Sequence, residues 1–263
     1  MNLILINDDG CTSKSSKILM EYLSKKGHFV YCFFPTKDHS ATSAGIHING
    51  KIKVQDMERG IYAVDGTPVD CLHIAVNYLK IHGIIPDMVI SGINQGLNYG
   101  TTIRYSGTVA SALEADLYML QSISVSAEDS LFDKDFRIMM SIIHFIVKYI
   151  EMNPINRCIN INFFGSRYTN MRDINIEFEN EVADYRFILP KLEFEQDNDG
   201  KIFSSIITCN NKSREYKAGC LMIGLISRNL GLYYNKQNEK WMRQLIENIY
   251  AFLLKKERVE EII

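Results

Sequence analysis

No apolar run in this chain approaches the ~20 residues that a helix needs to cross a bilayer. Met1-Asn2-Leu3 lacks the basic start and small-residue cleavage site of a secretory leader. The expectation is a cytoplasmic protein with no membrane partner. Basic residues are not in excess: 29 Lys and Arg against 31 Asp and Glu leave a formal net charge of −2. That balance offers no electrostatic footprint for a nucleic acid polymer. The six cysteines, at 11, 32, 71, 158, 209 and 220, form no Cys-x-x-Cys pair, which argues against a zinc ribbon or a thioredoxin-like centre. Cys11, beside an acidic loop, is the one thiol with a reactive role to consider. The histidines form no His-Glu-x-x-His pair, and neither a repeat nor a low-complexity linker divides the chain. With 263 residues, 46% of them hydrophobic, it can bury a sizeable core as one domain.

What is present begins at Leu3-Ile4-Leu5-Ile6, an apolar run with the pattern of a buried strand, which ends in Asn7-Asp8-Asp9-Gly10. Acids at the end of a first parallel strand lie where open α/β sheets bind ligands, and hard oxygen donors favour Mg²⁺, Mn²⁺ or Ca²⁺. The same four residues also make a good turn, so the pair gains weight only from a second motif. That motif follows Met88-Val89-Ile90. It is Ser91-Gly92-Ile93-Asn94-Gln95-Gly96-Leu97-Asn98-Tyr99-Gly100, leading to Tyr105-Ser106-Gly107-Thr108 at the start of a helical pattern. A strand, a glycine-rich loop and a helix start together make an anion site, with phosphate the natural anion. Asn94 and Asn98 add neutral carbonyl oxygens, which complete a cation shell without further charge repulsion.

Four blocks taken together resemble the SurE family of stationary-phase survival nucleotidases, metal-dependent phosphatases of nucleoside monophosphates. They are Asn7 to Gly10, Pro35 to Ser40, Gly66-Thr67-Pro68-Val69-Asp70-Cys71, and Ser91 through Gly107-Thr108-Val109. They span most of residues 1–125, and the similarity fades beyond about Phe163. The resemblance implies one divalent cation per subunit, Mg²⁺ or Mn²⁺, held by Asp8, Asp9, Ser40 and Asn94. It places Asp8, Asp9 and Asn94 in the catalytic set and Ser106-Gly107-Thr108 against the phosphate, with Asn98 a further polar site residue. It also implies a homodimer or homotetramer. This sequence departs from the family at Ser13-Lys14-Ser15-Ser16, where Ala-Pro-Gly-Ile is usual, and at Ala41, where a glycine usually follows the metal-binding serine. Thr101, Thr102 and Arg104 depart as well, and these changes bear on substrate preference more than on metal binding.

The expected reaction is hydrolysis of nucleoside monophosphates, as a 5′-nucleotidase that extends to 3′-nucleotides, by attack of a metal-activated water. An aspartyl-phosphate on Asp8 is the rival route. The alternative function is a catalytically inactive nucleotide- or phosphate-binding regulatory protein, and a metal-dependent glycosyltransferase is a third. His39 can donate to the leaving group or simply be solvated. Arg104 can bind phosphate or make a salt bridge, and Tyr99 and Tyr105 can stack on a base or pack the loop.

The predicted fold is α/β: a Rossmann-like, doubly wound, mostly parallel sheet with an antiparallel hairpin excursion and a C-terminal helix. Residues 3–7 and 29–34 read as strands around a helix at 17–25, and Thr67 caps a helix that starts at Pro68. A helix at 108–120, a strand at 122–126, a helix at 132–149 and a strand at 158–163 continue the alternation. We expect a single domain over 1–263, with an α/β core and active site in 1–163. Residues 164–215 form the antiparallel excursion, with a hairpin at Asn198-Asp199-Gly200 and a role in oligomerisation. Residues 216–263 return to the core and end in a helix with Trp241, Leu245, Ile249 and Phe252 on one face.

Overall fold

In the computed structural model, residues 1–57, 59–128, 136–165, 175–179, 191–196, 202–208, 220–226 and 236–260 are described. β1 (Asn2–Ile6), α1 (Lys14–Lys25) and β2 (Phe29–Pro35) form the first βαβ unit. The short strands β3 (Val54–Asp56) and β4 (Ile61–Val64) precede α2 (Pro68–Ile81). Then come β5 (Met88–Gln95), α3 (Gly107–Glu114), β6 (Gln121–Ala127), α4 (Phe136–Met152) and β7 (Cys158–Phe163). The remaining elements are β8 (Asn175–Glu179), β9 (Lys191–Gln196), β10 (Ile202–Thr208), β11 (Cys220–Ile226) and α5 (Lys236–Glu260).

The main sheet has nine strands in the order β3-β4-β2-β1-β5-β6-β7-β11-β8. From β4 through β7 every neighbouring pair is parallel, while β3 on β4 and β11 on β7 are antiparallel. Alternation along β1 explains the two layers. Leu3 and Leu5 belong to the core layer that also holds residues of α1, α4 and α5, whereas Ile4 and Ile6 belong to the layer with Leu72, Val76 and Leu79 of α2. Each such side chain, fully buried, contributes about 1.5–3 kcal/mol, and this two-faced burial is why the strand reads as an uninterrupted apolar run.

Local signals act as expected at α2. Thr67 is its N-cap and Pro68 its first residue, and Asp70 completes a capping box. The segment after Phe163 differs in detail from the expectation. β9 and β10 do form a separate antiparallel pair, and the hairpin residues 198–200 lie outside the described residues. β8, by contrast, is parallel to β11 and extends the main sheet, because its partner is a strand more than forty positions away rather than a hairpin neighbour. No helix among the described residues is long and apolar enough to cross a membrane.

Candidate active site

Strand order reverses at β1, with β2 on one side of it and β5 on the other. In a doubly wound sheet this opens a crevice beyond the carboxyl ends of those two strands. Asp8 and Asp9 follow β1, and Asn94 lies near the end of β5. A cavity of about 500 Å³ opens there, and Asp8, Ser40, Asn94, Asn98 and Ser106 contribute to its wall. Five of the residues expected from the sequence therefore meet at one opening. Leu97 and Tyr105 line it as well. Tyr105 is 44% exposed, whereas Tyr99 packs edge-on against Phe164 with ring centroids 5.3 Å apart.

Asp8 is 3% exposed, and Thr108 holds both of its oxygens. The Thr108 hydroxyl donates to Oδ1 at 2.6 Å and its backbone N–H donates to Oδ2 at 3.1 Å. Burial pushes the Asp8 carboxyl above the ordinary aspartate range, the bonds from Thr108 pull it back, and the charge of Asp38 adds to the rise. The carboxylate thus takes up the start of α3, where the helix dipole favours negative charge. Gly107 makes this approach possible: a Cβ there would lie 3.0 Å from Cγ of Pro68 and 3.2 Å from Cβ of Asp8. Ser106 caps the helix, its Oγ accepting from the Val109 N–H at 3.1 Å.

The remaining expected residues lie around this opening. Asp9, next to Asp8, is half-buried and outside the cavity wall; Gly107 and Thr108, both buried, are outside it too. His39 donates its backbone N–H to the Asp8 carbonyl at 2.8 Å. Its ring is also outside the wall; Nε2 is buried without a partner among the described residues, and burial followed by the charge of Lys37 pushes its pKa down. Arg104 is exposed, and its carbonyl accepts from the Ser43 hydroxyl at 2.7 Å. Cys11 donates its thiol to the Pro35 carbonyl at 3.1 Å, and burial pushes its pKa up, so it stays a protonated thiol.

Two donors at this opening are already committed to the protein. The Ser40 hydroxyl donates to Oδ1 of Asp38 at 2.6 Å, and the Asn94 amide donates to the Gly96 carbonyl at 2.7 Å. Both donors point at the protein, which leaves oxygen lone pairs for the cavity. With the buried carboxylate of Asp8, this makes an all-oxygen acceptor set, which fits a hard cation such as Mg²⁺ or Mn²⁺. Among the described residues no group of three or more His, Cys, Asp or Glu forms a metal site, so any ion here depends on the neutral oxygens as well as the acids.

Several contributors were hidden from sequence reading. Asp38 orients Ser40. Gly92 adopts φ +130°, and a Cβ there would lie 2.3 Å from the Val125 carbonyl. The β5–β6 register slips between Ser91 and Asn94, a bulge that re-aims Asn94. The serines in the departing Ser13–Ser16 stretch brace this bulge: Ser15 donates to the Ile93 carbonyl at 2.9 Å and Ser16 to that of Gly92 at 3.1 Å. Asn7 in turn donates to Ser16 Oγ at 2.9 Å. Farther out, Asp70 takes the His47 backbone N–H at 3.0 Å and the Thr67 N–H at 2.9 Å, and lies 2.6 Å from His47 Nδ1. Burial pushes Asp70 up, but these bonds outweigh it and hold the carboxyl below its ordinary range.

The family model described as "Survival protein SurE" matches residues 3–181. The chain is 36% identical over 166 residues to a protein of Caldanaerobacter subterraneus subsp. tengcongensis named 5′-nucleotidase SurE, covering 61% of this chain and 64% of that one. It is 37% identical over 181 residues to the protein of the same name from Fervidobacterium nodosum, covering 65% and 68%. The matched part thus spans slightly under two thirds of the length of the first relative and slightly over that of the second. Among solved structures, the SurE protein from Aquifex aeolicus superposes with a TM-score of 0.71 at 26% identity, covering 92% of this chain and all of that one.

Proposed function

The chain belongs to the SurE family, and on that premise we propose that it is a metal-dependent phosphomonoesterase, a 5′-nucleotidase that releases phosphate from nucleoside monophosphates and extends to 3′-nucleotides. The observation that carries this reading is the convergence of Asp8, Ser40, Asn94, Asn98 and Ser106 on one cavity at the strand-order reversal. The similarity to relatives named as 5′-nucleotidases supports it. Asp8, Asp9, Ser40 and Asn94 would hold one divalent ion per subunit, Mg²⁺ or Mn²⁺. When bound, that ion supplies Lewis-acid polarisation of a phosphoryl oxygen.

The chain's own groups do the rest. Thr108 fixes Asp8 through both carboxylate oxygens, which leaves it a poor nucleophile and favours water over an aspartyl-phosphate. Oγ of Ser106 accepts from Val109, so its proton is free to be donated to a phosphoryl oxygen. One such donor contributes ~3 kcal/mol to the transition state. Asn98 offers an acceptor for water or a sugar hydroxyl, and Tyr105 and Leu97 offer apolar surface for the nucleoside. The proposal retains a cytoplasmic homodimer or homotetramer, with residues 1–263 as one domain and the 164–215 excursion serving assembly.

The test is phosphate release from a panel of 5′- and 3′-nucleoside monophosphates and an aryl phosphate, with Mg²⁺, Mn²⁺ or chelator, for wild type and Asp9→Asn. Metal-dependent release that the variant loses supports the enzyme. Nucleotide binding without release under any metal would instead favour the regulatory reading.

A further inference from the structure

A row of buried polar side chains crosses the sheet beneath the loop that carries Asn98. Strand register sets Asn94 of β5 beside Ser126 of β6, and Ser126 beside Asn162 of β7; Ser124 and Asn160 pair one step earlier. Ser124, Ser126, Asn160 and Asn162 have no solvent exposure at all. Buried amides persist only where they are bonded, and here the bonds converge on a single residue. The Asn162 side chain imitates a strand: Oδ1 accepts the Asn98 backbone N–H at 2.8 Å, and Nδ2 donates to the Asn98 carbonyl at 3.0 Å. Nδ2 of Asn160 donates to the same carbonyl at 2.7 Å, while its Oδ1 accepts from Ser124 at 2.8 Å. The Asn98 side-chain amide donates to Ser126 Oγ at 2.9 Å.

The orientation of each amide is determined by its partners. Reversing Asn162 would set N–H against N–H and oxygen against oxygen, and reversing Asn160 would do the latter at the same carbonyl. Among the described residues, bonds engage the Asn98 N–H, C=O and Nδ2 and leave Oδ1 as its one polar atom without a bond, and Asn98 lines the cavity. We propose that Asn160 and Asn162 are positioning residues for the reaction. By clamping the Asn98 backbone, they make Oδ1 a fixed acceptor for the attacking water or a sugar hydroxyl of the substrate. The proposal rests on the nucleotidase reading given above and extends it to two residues on a strand behind the site.

Asn162→Asp is the informative change, because it keeps the shape and the acceptor for the Asn98 N–H. It replaces the donor to the Asn98 carbonyl with an oxygen that donates only when protonated. With metal-loaded protein and a nucleoside monophosphate, kcat/KM should fall ~10–100-fold at alkaline pH. The ratio of variant to wild type should then recover as the pH is lowered towards the carboxyl range. The thermal shift given by Mg²⁺ alone should match wild type. Ser126→Ala, a milder change, should cost ~3–10-fold in kcat/KM by freeing the Asn98 amide to turn. Loss confined to nucleotides assigns Oδ1 to a sugar hydroxyl, and equal loss on an aryl phosphate assigns it to water. Wild-type kcat/KM in both variants, or a loss in Asn162→Asp that ignores pH, would overturn the clamp. If wild type itself releases no phosphate, the function reading falls, and the clamp is judged from the nucleotide affinity of the same variants.

Discussion

Thr108→Val removes the hydroxyl that donates to Oδ1 of Asp8 at 2.6 Å and leaves the backbone donor to Oδ2 in place. Thr108 is fully buried and Asp8 nearly so, so water cannot replace the lost bond. A hydrogen bond to an ionised group contributes about 1.5–3 kcal/mol, while valine fills the same volume and leaves no cavity. The loss should depend on pH, and its sign follows from burial. Asp8 has its folded pKa raised above the ordinary 3.8, so its contribution to stability is full below that value. The contribution is lost as pH rises through the folded value. Thr108→Val pushes the folded value further up and enlarges that loss. In chelator-treated protein, urea unfolding should therefore show little difference between wild type and variant at acid pH. A deficit of about 1.5–3 kcal/mol should have developed by pH 8. Thr108→Ser keeps the hydroxyl and removes one methyl, for about 1 kcal/mol at every pH. A valine deficit that is equal at both ends of the pH range, or below about 0.5 kcal/mol at pH 8, would refute the claim that Thr108 sustains a buried, charged Asp8.

Three further outcomes can be checked with the same protein. Gly107→Ala forces Asp8 or Pro68 to shift by tenths of an ångström, so kcat/KM should fall by less than the ~10²-fold of a full ~1 Å misplacement, ~3–10-fold, while the unfolding midpoint changes little; unchanged kinetics would mean that the close approach is unimportant. Ala41 sits at φ +60° on the cavity wall, so Ala41→Gly should raise stability by ~0.5 kcal/mol after the entropy of glycine is subtracted, and a lower unfolding midpoint would count against strain there. Asp70, whose carboxyl is held below its ordinary range, contributes stability that is present above 3.8 and lost as pH falls through the folded value. Asp70→Asn should then cost about 1–2 kcal/mol at pH 7 and less in acid, by denaturant titration; a deficit that grows in acid would reverse the assignment.

How much of this was legible in the sequence depends on how far each feature reaches along the chain. The β1-α1-β2 unit, the Thr67-Pro68 helix start and the strand at 158–163 are written in local patterns, and the structure has them there. Asp70 was not legible as the anchor of His47, because that contact spans 23 positions. β8 carries period-two alternation, which says that one face is buried but not which strand lies beside it.

The buried polar row shows the physical limit most directly. Ser122, Ser124 and Ser126 alternate with apolar residues in β6, and Asn160 and Asn162 do so in β7. On periodicity alone such strands look half-solvated. What buries them is α3, a helix of small residues, Gly107-Thr108-Val109-Ala110-Ser111-Ala112 in its first turns, which packs against β5, β6 and β7. Small side chains let this helix come close enough to exclude water from the polar face. The excluded amides then bond to the loop above them, and Asn160 to Ser124 within the row as well. The helix start that holds Asp8 through Thr108 and the strand row that holds Asn98 are therefore two consequences of one close packing. A larger residue within α3 should loosen both at once, and a separate change in either cluster should leave the other intact. This is why Asp8 and Asn98 can be tested independently with Thr108→Val and Asn162→Asp.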